Sequence, residues 1–443
     1  MTNPSVLMLA AKWWPLSARL AISLNRHGCR VSAVCPDRHP LTHVSVIDRI
    51  HRYAGIFSLP CVRRLIHDAQ PDIIIPCDDG VVGQLHAIHR LDPSLRPLIE
   101  RSLGSPESYP VVRSRYDMLS IAKSLGVRVP ETRKVASDRD LHSWHAEVAS
   151  TAVLKVDGES GGNGVRICTA LDDSLSAWRQ LRERISYAAA CKRFIVDRNP
   201  LTLWQRYTAA TPEVTVQEFI RGRPANAMML CRDGEMLAVV SVVVVVAESS
   251  VGAATVVRVI DDQRMKFAAR SLASRLKLSG FFGLDFMIDE SGEPILIEMN
   301  PRCTQLGHFE LPEQGSLAGV FSASLRGEPP PKPDRPVRQK TIALFPQALA
   351  AGELCTPYIA ASYHDVPTEE PRLVRELELP SWPQRQWTSR LYHHFSRLRP
   401  NRALAFEPPR AADSPGRAIG SVVGRDPAAG AGRADTPAWA SKG

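Results

Sequence analysis

The sequence is short of several features that would each define a function class. Nine cysteines occur among 443 residues, but no two form a C-x-x-C pair. That spacing is what structural zinc sites and redox dithiols use, so neither is indicated, and a chain this long needs no disulfide framework. We expect reduced thiols. Aromatic residues make up only 6% of the chain, and the arginines behind its formal charge of +9 are scattered rather than clustered. A basic stripe interleaved with aromatics is therefore missing, and nucleic acid is not an expected partner. Acidic phosphorylated substrates are sufficient cause for the positive balance. The longest apolar run, Met236 to Ala247, is too short to span a bilayer and reads as a buried strand. The start Met1-Thr2-Asn3-Pro4-Ser5 lacks a basic cluster, and its apolar run stops at Lys12. We therefore expect no secretory signal, no membrane partner and a cytoplasmic protein. No G-x-G-x-x-G follows the first strand, no internal repeat is evident, and the thirteen histidines show no triad spacing.

What is present is ordinary in bulk, at 44% hydrophobic and 23% charged, with length for two or three domains. The first segment alternates strands and helices. Val6 to Ala10, Val31 to Val34 and Asp72 to Pro76 read as strands, with helices over Leu16 to Arg26, around Val62 to Ala69 and from Val81. This is a parallel βαβ arrangement. Ligands in such sheets sit beyond the carboxyl ends of the strands, which here carry Lys12-Trp13-Trp14 and Asp78-Asp79. Asp78 and Asp79 are candidates for an ammonium group and Lys12 for a carboxylate. Asp-Asp-Gly is equally ordinary helix-cap chemistry.

The run Ile295-Leu296-Ile297-Glu298-Met299-Asn300-Pro301-Arg302 is the most informative stretch. Three apolar residues read as a buried strand, and residues i and i+2 of a strand share a face. Glu298 and Asn300 therefore present oxygens side by side, with Arg302 next. Upstream, Gly283 to Ile288 reads as a second strand, and Glu290-Ser291-Gly292 as the turn that brings Asp285 beside Glu298. Hard oxygen ligands beside a guanidinium suit magnesium bound to a polyphosphate. A surface hairpin with solvated acids is the bland alternative.

Lys155 closes the apolar strand Val153-Leu154-Lys155-Val156, where a lone charge needs a partner such as a phosphate oxygen. The loop Asp157-Gly158-Glu159-Ser160-Gly161-Gly162-Asn163-Gly164 follows directly. Gly161, Gly162 and Gly164 free the backbone to aim N–H groups at an anion, and we expect the loop to close over the phosphates.

These segments resemble the ATP-grasp superfamily of carboxylate–amine ligases, whose ATP-binding domains include those of the carbamoyl-phosphate synthase large subunit and of D-alanine–D-alanine ligase. Four segments match in order: a helix before Gly126-Val127-Arg128-Val129-Pro130, the Lys155 strand with its loop, Gln217-Glu218-Phe219-Ile220, and the Asp285 to Arg302 hairpin. The resemblance implies that Lys155 contacts the nucleotide phosphates. It implies that Glu218, Phe219 and Ile220 form the hinge that receives adenine, and that Asp285, Glu298 and Asn300 hold magnesium, or manganese in its place. Arg302 would stabilise the transferring phosphoryl group, with Arg258 as a second candidate catalytic arginine or else a strand-edge surface residue. Two positions depart from the pattern: Arg115 stands where a lysine is usual, and Asn226 is the nearest substitute for the usual ribose-holding acid.

The implied architecture is an α/β N-terminal parallel-sheet domain over 1–110, an α+β ATP-grasp fold over 111–330, a small C-terminal accessory region over 331–400 and a disordered tail over 401–443. The implied activity is an ATP- and magnesium-dependent ligase that activates a carboxylate as an acyl phosphate for attack by an amine. Two alternatives are an acyl-phosphate former with another acceptor, such as a thiol or bicarbonate, and a nucleotide-binding regulatory protein without turnover. Small-molecule acid and amine are the expected partners, and a homodimer is left open.

Overall fold

The computed structural model describes residues 3–53, 58–148, 151–158, 164–183, 187–195, 212–249, 252–312, 315–333, 336–352, 355–388, 390 and 404–405. All belong to one compact unit, the part of the chain that ends at Pro409. The chain opens with β1 (Ser5–Leu9), α1 (Pro15–Arg26), β2 (Arg30–Cys35), β3 (Arg49–Arg52), α2 (Ser58–Ala69), β4 (Ile73–Pro76), α3 (Asp79–Leu91) and α4 (Arg96–Leu103). Its four strands form a parallel sheet in the order β3-β2-β1-β4. Near-continuous apolar runs are what a parallel strand buried on both faces requires, and β1 and β4 meet that requirement. Leu7, Leu9 and Ile74 pack with α2, α3 and α4 on one face. Val6, Met8 and Ala33 pack on the other against α1, Leu306 and Phe309.

Two short helices, α5 (Tyr109–Arg113) and α6 (Arg115–Ser124), lead into a small antiparallel sheet. It contains β5 (Thr132–Lys134), β6 (Ala152–Val156), β7 (Val165–Cys168) and β8 (Val214–Glu218), ordered β5-β8-β6-β7. α7 (Asp138–Glu147) and α8 (Leu171–Arg182) cover one face, where Trp144 and Trp178 pack on Ala152, Leu154, Val214 and Val216. Burying each of these large side chains is worth about 1.5–3 kcal/mol. Alternation then sends Val153, Lys155, Thr215 and Gln217 to the opposite face, away from α7 and α8, where they too are buried. α9 (Tyr187–Ile195) follows α8 in the chain.

The large sheet is built from β9 (Gly222–Arg232), β10 (Glu235–Ala247), β11 (Ala254–Ile260), β12 (Gly280–Asp289) and β13 (Pro294–Asn300), in the order β13-β12-β9-β10-β11. α10 (Gln263–Leu276) lies with α6 on one face, where Ala225, Ala227, Phe282, Leu284, Phe286 and Leu296 are buried. The opposite face carries Met228, Leu230, Val240 and Val242 toward the parallel-sheet residues. Next come β14 (Glu310–Leu311), β15 (Gly315–Ser316) and α11 (Leu317–Arg326).

The span 331–400, expected as a small C-terminal accessory region, contributes strands to the large sheet. β16 (Thr341–Leu344) pairs with β11, and β17 (Tyr363–Asp365) continues the large sheet beside β16. Asp365 accepts hydrogen bonds from Arg19 of α1, and Glu370 accepts from the Ser45 backbone N–H at 3.0 Å, so the segment is also tied to the parallel-sheet part. The tail reading over 401–443 falls outside the described residues except for β18 (Leu404–Ala405), which pairs antiparallel with Val246 and Ala247 at the end of β10.

Candidate functional site

The β12–β13 hairpin places the three oxygen-bearing residues of the sequence motif on one face. Asp285 pairs directly with Glu298, and Gly283 pairs with Asn300, so Glu298 and Asn300 flank the Asp285 carboxylate. A bulge at the next position, where Phe286 faces Leu296, absorbs Ile297. The turn is pinned by Asp289, whose side chain accepts from the N–H groups of Ser291 and Glu293 at 2.9 Å. Gly283 matters for close approach, since a Cβ there would meet Thr304 Cγ2 at 2.4 Å.

Asp285 accepts from both neighbouring amides, Asn226 Nδ2 at 2.6 Å and Asn300 Nδ2 at 2.9 Å. Burial, and then the charge of Glu298, push its carboxyl up to about 6. Asn226 reaches it because β9 pairs with β12 at that register position. This placement puts Asn226 in the oxygen cluster and gives no support to its expected role on the ribose.

Arg115, the first residue of α6, is 8% exposed and spans two carboxylates. Its Nη1 donates to Asp157 at 2.9 Å and its Nη2 to Glu298 at 2.8 Å. Burial opposes the guanidinium charge, but Glu298 and Asp157 outweigh it and hold the pKa above the ordinary value. Asp157, pressed by burial against the pull of Arg115, rises to about 6. The sequence named Asp157 only as the start of the glycine loop; its position straight after the Lys155 strand was the available signal.

Lys155 lies on the face of the small sheet away from α7 and α8, 6% exposed, and donates to Gln217 Oε1 at 2.6 Å. Gln217 in turn donates to Thr132 Oγ1 at 3.3 Å. Burial, then the neighbouring Arg115 charge, lower the Lys155 pKa to about 8, against the pull of Glu298 and Asp285. The ammonium thus lies near Asp285 and near Glu298, which Arg115 also bonds, and its bonded partner is a neutral amide. Gln217 is the second residue the sequence passed over, although it stood in the hinge motif.

At that hinge, Glu218 N donates to Glu131 O at 2.9 Å and Phe219 N to Thr151 O at 3.0 Å. The Glu218 side chain accepts from Glu131 N at 3.4 Å. These bonds anchor the strand end and leave the Ile220 N–H with no hydrogen bond among the described residues, beside a 37% exposed Phe219 ring. Gly164 accepts from Val156 N at 3.0 Å, whereas Gly161 and Gly162 lie outside the described residues.

Arg302 is held from two sides. Its Nε donates to Asp79 Oδ2 at 3.0 Å and its Nη2 leans on Asn300 Oδ1 at 3.5 Å. Arg258 is not brought to this group. It pairs with Val243, which pairs with Ala225, which pairs with Phe286, a row whose last two members are buried on the face covered by α10. Period-2 alternation therefore sends it away from Asp285, and we withdraw it as a catalytic candidate.

Asp78 and Asp79 also differ from the expectation of an ammonium site. Asp78 caps α3 by accepting from Val81 N at 3.0 Å, and its other oxygen accepts from Ala11 N at 2.6 Å and Lys12 N at 3.2 Å. Its carboxylate is consumed by backbone, and Asp79 is consumed by Arg302.

The donor set fits a hard dication. Two carboxylates in direct register repel, one of them half-buried with a raised pKa, and amide N–H groups relieve that only partly. Among the described residues no three His, Cys, Asp or Glu side chains group as a metal site. A cation here would take Asp285, Glu298 and the Asn300 amide oxygen.

Comparison with known proteins finds the same fold. Residues 187–305 match the family model described as the ATP-grasp domain, a span that contains the hinge and the hairpin but starts after Arg115 and Lys155. Solved structures share the fold at low identity. N5-carboxyaminoimidazole ribonucleotide synthase of Aspergillus clavatus with ATP aligns at 15% identity and TM-score 0.54, over 76% of this chain and 80% of that one. N5-carboxyaminoimidazole synthetase of Staphylococcus aureus with ADP aligns at 14% and 0.53, over 75% and 80%. The biotin carboxylase domain of Hydrogenobacter thermophilus 2-oxoglutarate carboxylase, with MgADP and bicarbonate, aligns at 13% and 0.53, over 76% and 72%. No curated protein sequence matches the chain. Residues 187–305 thus match the ATP-grasp domain, and the solved structures share the fold around them. No helix among the described residues is long and apolar enough to cross a membrane.

Proposed function

We propose that this protein is an ATP- and magnesium-dependent ligase that joins a carboxylate to an amine. The observation that carries this reading is the opposition of a buried ammonium, Lys155, to the Asp285–Glu298–Asn300 oxygen cluster, with Arg302 at its edge. A nucleotide polyphosphate is the ligand that satisfies both: its anionic oxygens complement Lys155, and its metal complements the carboxylates. Lys155 would hold the phosphates, and the Ile220 N–H, which has no hydrogen bond among the described residues, would receive the adenine edge. Asn226 would fix the orientation of the Asp285 carboxylate rather than hold the ribose. Magnesium, when bound by Asp285, Glu298 and Asn300, supplies charge neutralisation on the transferring phosphoryl group.

In the reaction a substrate carboxylate oxygen attacks the γ-phosphorus, and the bond to the β-phosphate oxygen breaks to release ADP. The acyl phosphate so formed is attacked at carbon by the acceptor amine, and phosphate leaves as the amide forms. Arg302 stabilises the negative charge that develops on the transferring oxygens and on the tetrahedral intermediate. The soluble metabolite pool of the cytoplasm is the setting this chemistry suits.

A second reading is favoured by one specific contact. Arg115 pairs with Glu298, an expected metal ligand, and with Asp157, a contact that competes with a metal and so favours a nucleotide-binding protein without turnover. The two separate in a screen of carboxylates and amines for substrate-dependent ADP formation with magnesium present. ADP that requires both an acid and an amine supports the ligase; tight nucleotide binding with no ADP from any pair overturns it in favour of the regulatory reading. ADP that requires an acid with bicarbonate or a thiol instead moves the activity to a different acceptor.

A further inference from the structure

Arg302 follows the hairpin strand β13, but the contact that fixes its guanidinium comes from elsewhere in the chain. Asp79 is the first residue of α3, on the parallel sheet, and lies 223 positions away in sequence. The side chains are largely buried, 15% exposed for Arg302 and 22% for Asp79. A charge-assisted bond in that setting holds one rotamer of a side chain that would otherwise have several. Asp79 stands in the first turn of α3, at the end of the helix where acidic side chains are commonly placed.

The adjoining aspartate explains why the carboxylate of Asp79 stays in place. Asp78 is the cap of α3 and accepts from Val81, Ala11 and Lys12 backbone N–H groups. It therefore fixes the start of the helix against the turn that follows β1. His39 makes that turn rigid from the other side, its Nε2 bonding to the Lys12 carbonyl at 3.0 Å. One aspartate sets the helix start, and the next transmits its position to Arg302.

The fork of Arg302 is divided accordingly. Nε is spent on Asp79 and Nη2 touches Asn300 Oδ1, while Nη1 forms no hydrogen bond among the described residues. The unspent N–H groups lie beside the oxygen cluster, where a terminal phosphoryl group would sit.

We infer that Asp79 is a positioning residue for Arg302, holding its guanidinium by Nε so that the remaining N–H groups meet the γ-phosphoryl group of bound ATP. This rests on the nucleotide reading of the site. It gives the parallel-sheet part a direct role in phosphoryl transfer, separate from any substrate it binds.

The test uses the full chain and two probes, MgADP and the magnesium complex of a non-hydrolysable ATP analogue with an imido β,γ-bridge. Calorimetry compares wild type with Asp79→Asn, Asp79→Glu, Arg302→Lys and the double variant Asp79→Asn/Arg302→Lys. Asp79→Asn and Arg302→Lys should each weaken the analogue about tenfold, as one charge-assisted hydrogen bond does, with MgADP changed by less than about twofold. The double variant should be no weaker than the weaker single, and Asp79→Glu should recover most of the loss. Asp79→Ser, also accepted in a helix first turn, replaces the asparagine variant if that one fails to fold. Analogue binding at wild-type strength in the folded Asp79 variant, an equal loss for both nucleotides, or multiplied losses in the double variant would each overturn the inference while leaving the ATP reading intact. Failure of wild type to bind either nucleotide overturns the ATP reading, and the inference with it.

Discussion

On the β6–β8 face a single cation, Lys155, is held by the neutral amide of Gln217; on the β12–β13 face two carboxylates crowd against a guanidinium. The two faces therefore leave opposite charges unsatisfied. Arg115 spends both of its Nη groups on Asp157 and Glu298, so its positive charge is already used within the protein. Lys155 keeps its charge for a ligand, and its lowered pKa records how poorly the protein alone satisfies it. Lys155, expected on the phosphates, and Arg115, which stands where a lysine is usual, thus have different work: Lys155 attracts, and Arg115 braces the acids.

The comparison breaks most severely at Glu298. Glu298→Gln keeps the volume and one oxygen but removes the charge a hard dication needs. Turnover should fall by about a hundredfold or more, the scale of losing one electrostatic stabiliser of a transition state. Steady-state ADP formation at several magnesium concentrations measures it, and wild-type turnover throughout would return Glu298 to a surface acid.

Arg115→Met tests the bracing side. Removing one partner of a buried ion pair strands the others, at a cost of about 3–5 kcal/mol, with the partial exposure of Glu298 placing the loss near the low end. Chemical denaturation reads it directly. A variant as stable as wild type would mean that the contacts with Asp157 and Glu298 contribute nothing.

Lys155→Met tests the attracting side and should spare stability, since it removes a buried charge that was imperfectly partnered. Nucleotide affinity should drop by about 1.5–3 kcal/mol. The same residue predicts a pH effect. Its pKa in the folded protein lies near 8, below the unfolded value, so the unfolded chain binds the extra proton between about 8 and the ordinary lysine range. Stability of the ligand-free protein should therefore rise with pH across that window, and nucleotide affinity should fall as the ammonium is lost. Calorimetric titration at pH 7 and pH 9 should show the loss in wild type and none in Lys155→Met.

Much of this arrangement could be read from the sequence, for reasons that also explain what could not. β1, β4 and β10 announce themselves as apolar runs, and the β12–β13 hairpin is fixed by local chemistry, a Ser-Gly turn and period-2 alternation. β3 was missed because Arg-Ile-His-Arg has no apolar run; it forms an edge strand with three of its four residues exposed. The pairing of Asn226 with Asp285 depends on the register of β9 against β12, which sequence spacing does not reveal. The face of Arg258 depends on the chain of registers from β11 through β10 and β9. The span 331–400 was opaque for a related reason. Its strands β16 and β17 are too short to show a period and take their places from the large sheet.

The smallest effect concerns the tail. Deleting residues 406–443 should leave melting temperature and nucleotide binding unchanged. A deletion from 401 also removes β18 from the end of β10 and should cost about 1 kcal/mol, the scale of a backbone hydrogen bond or two. Equal melting of both truncations would show that the β18 pairing contributes nothing.

The claim that the two faces meet around a metal-bound nucleotide is tested most directly by titrating ATP into wild type and Glu298→Gln, with and without magnesium. Wild type should bind ATP more tightly when magnesium is present, and Glu298→Gln should lose that dependence while keeping its metal-free affinity. The same magnesium enhancement in both proteins would contradict the site.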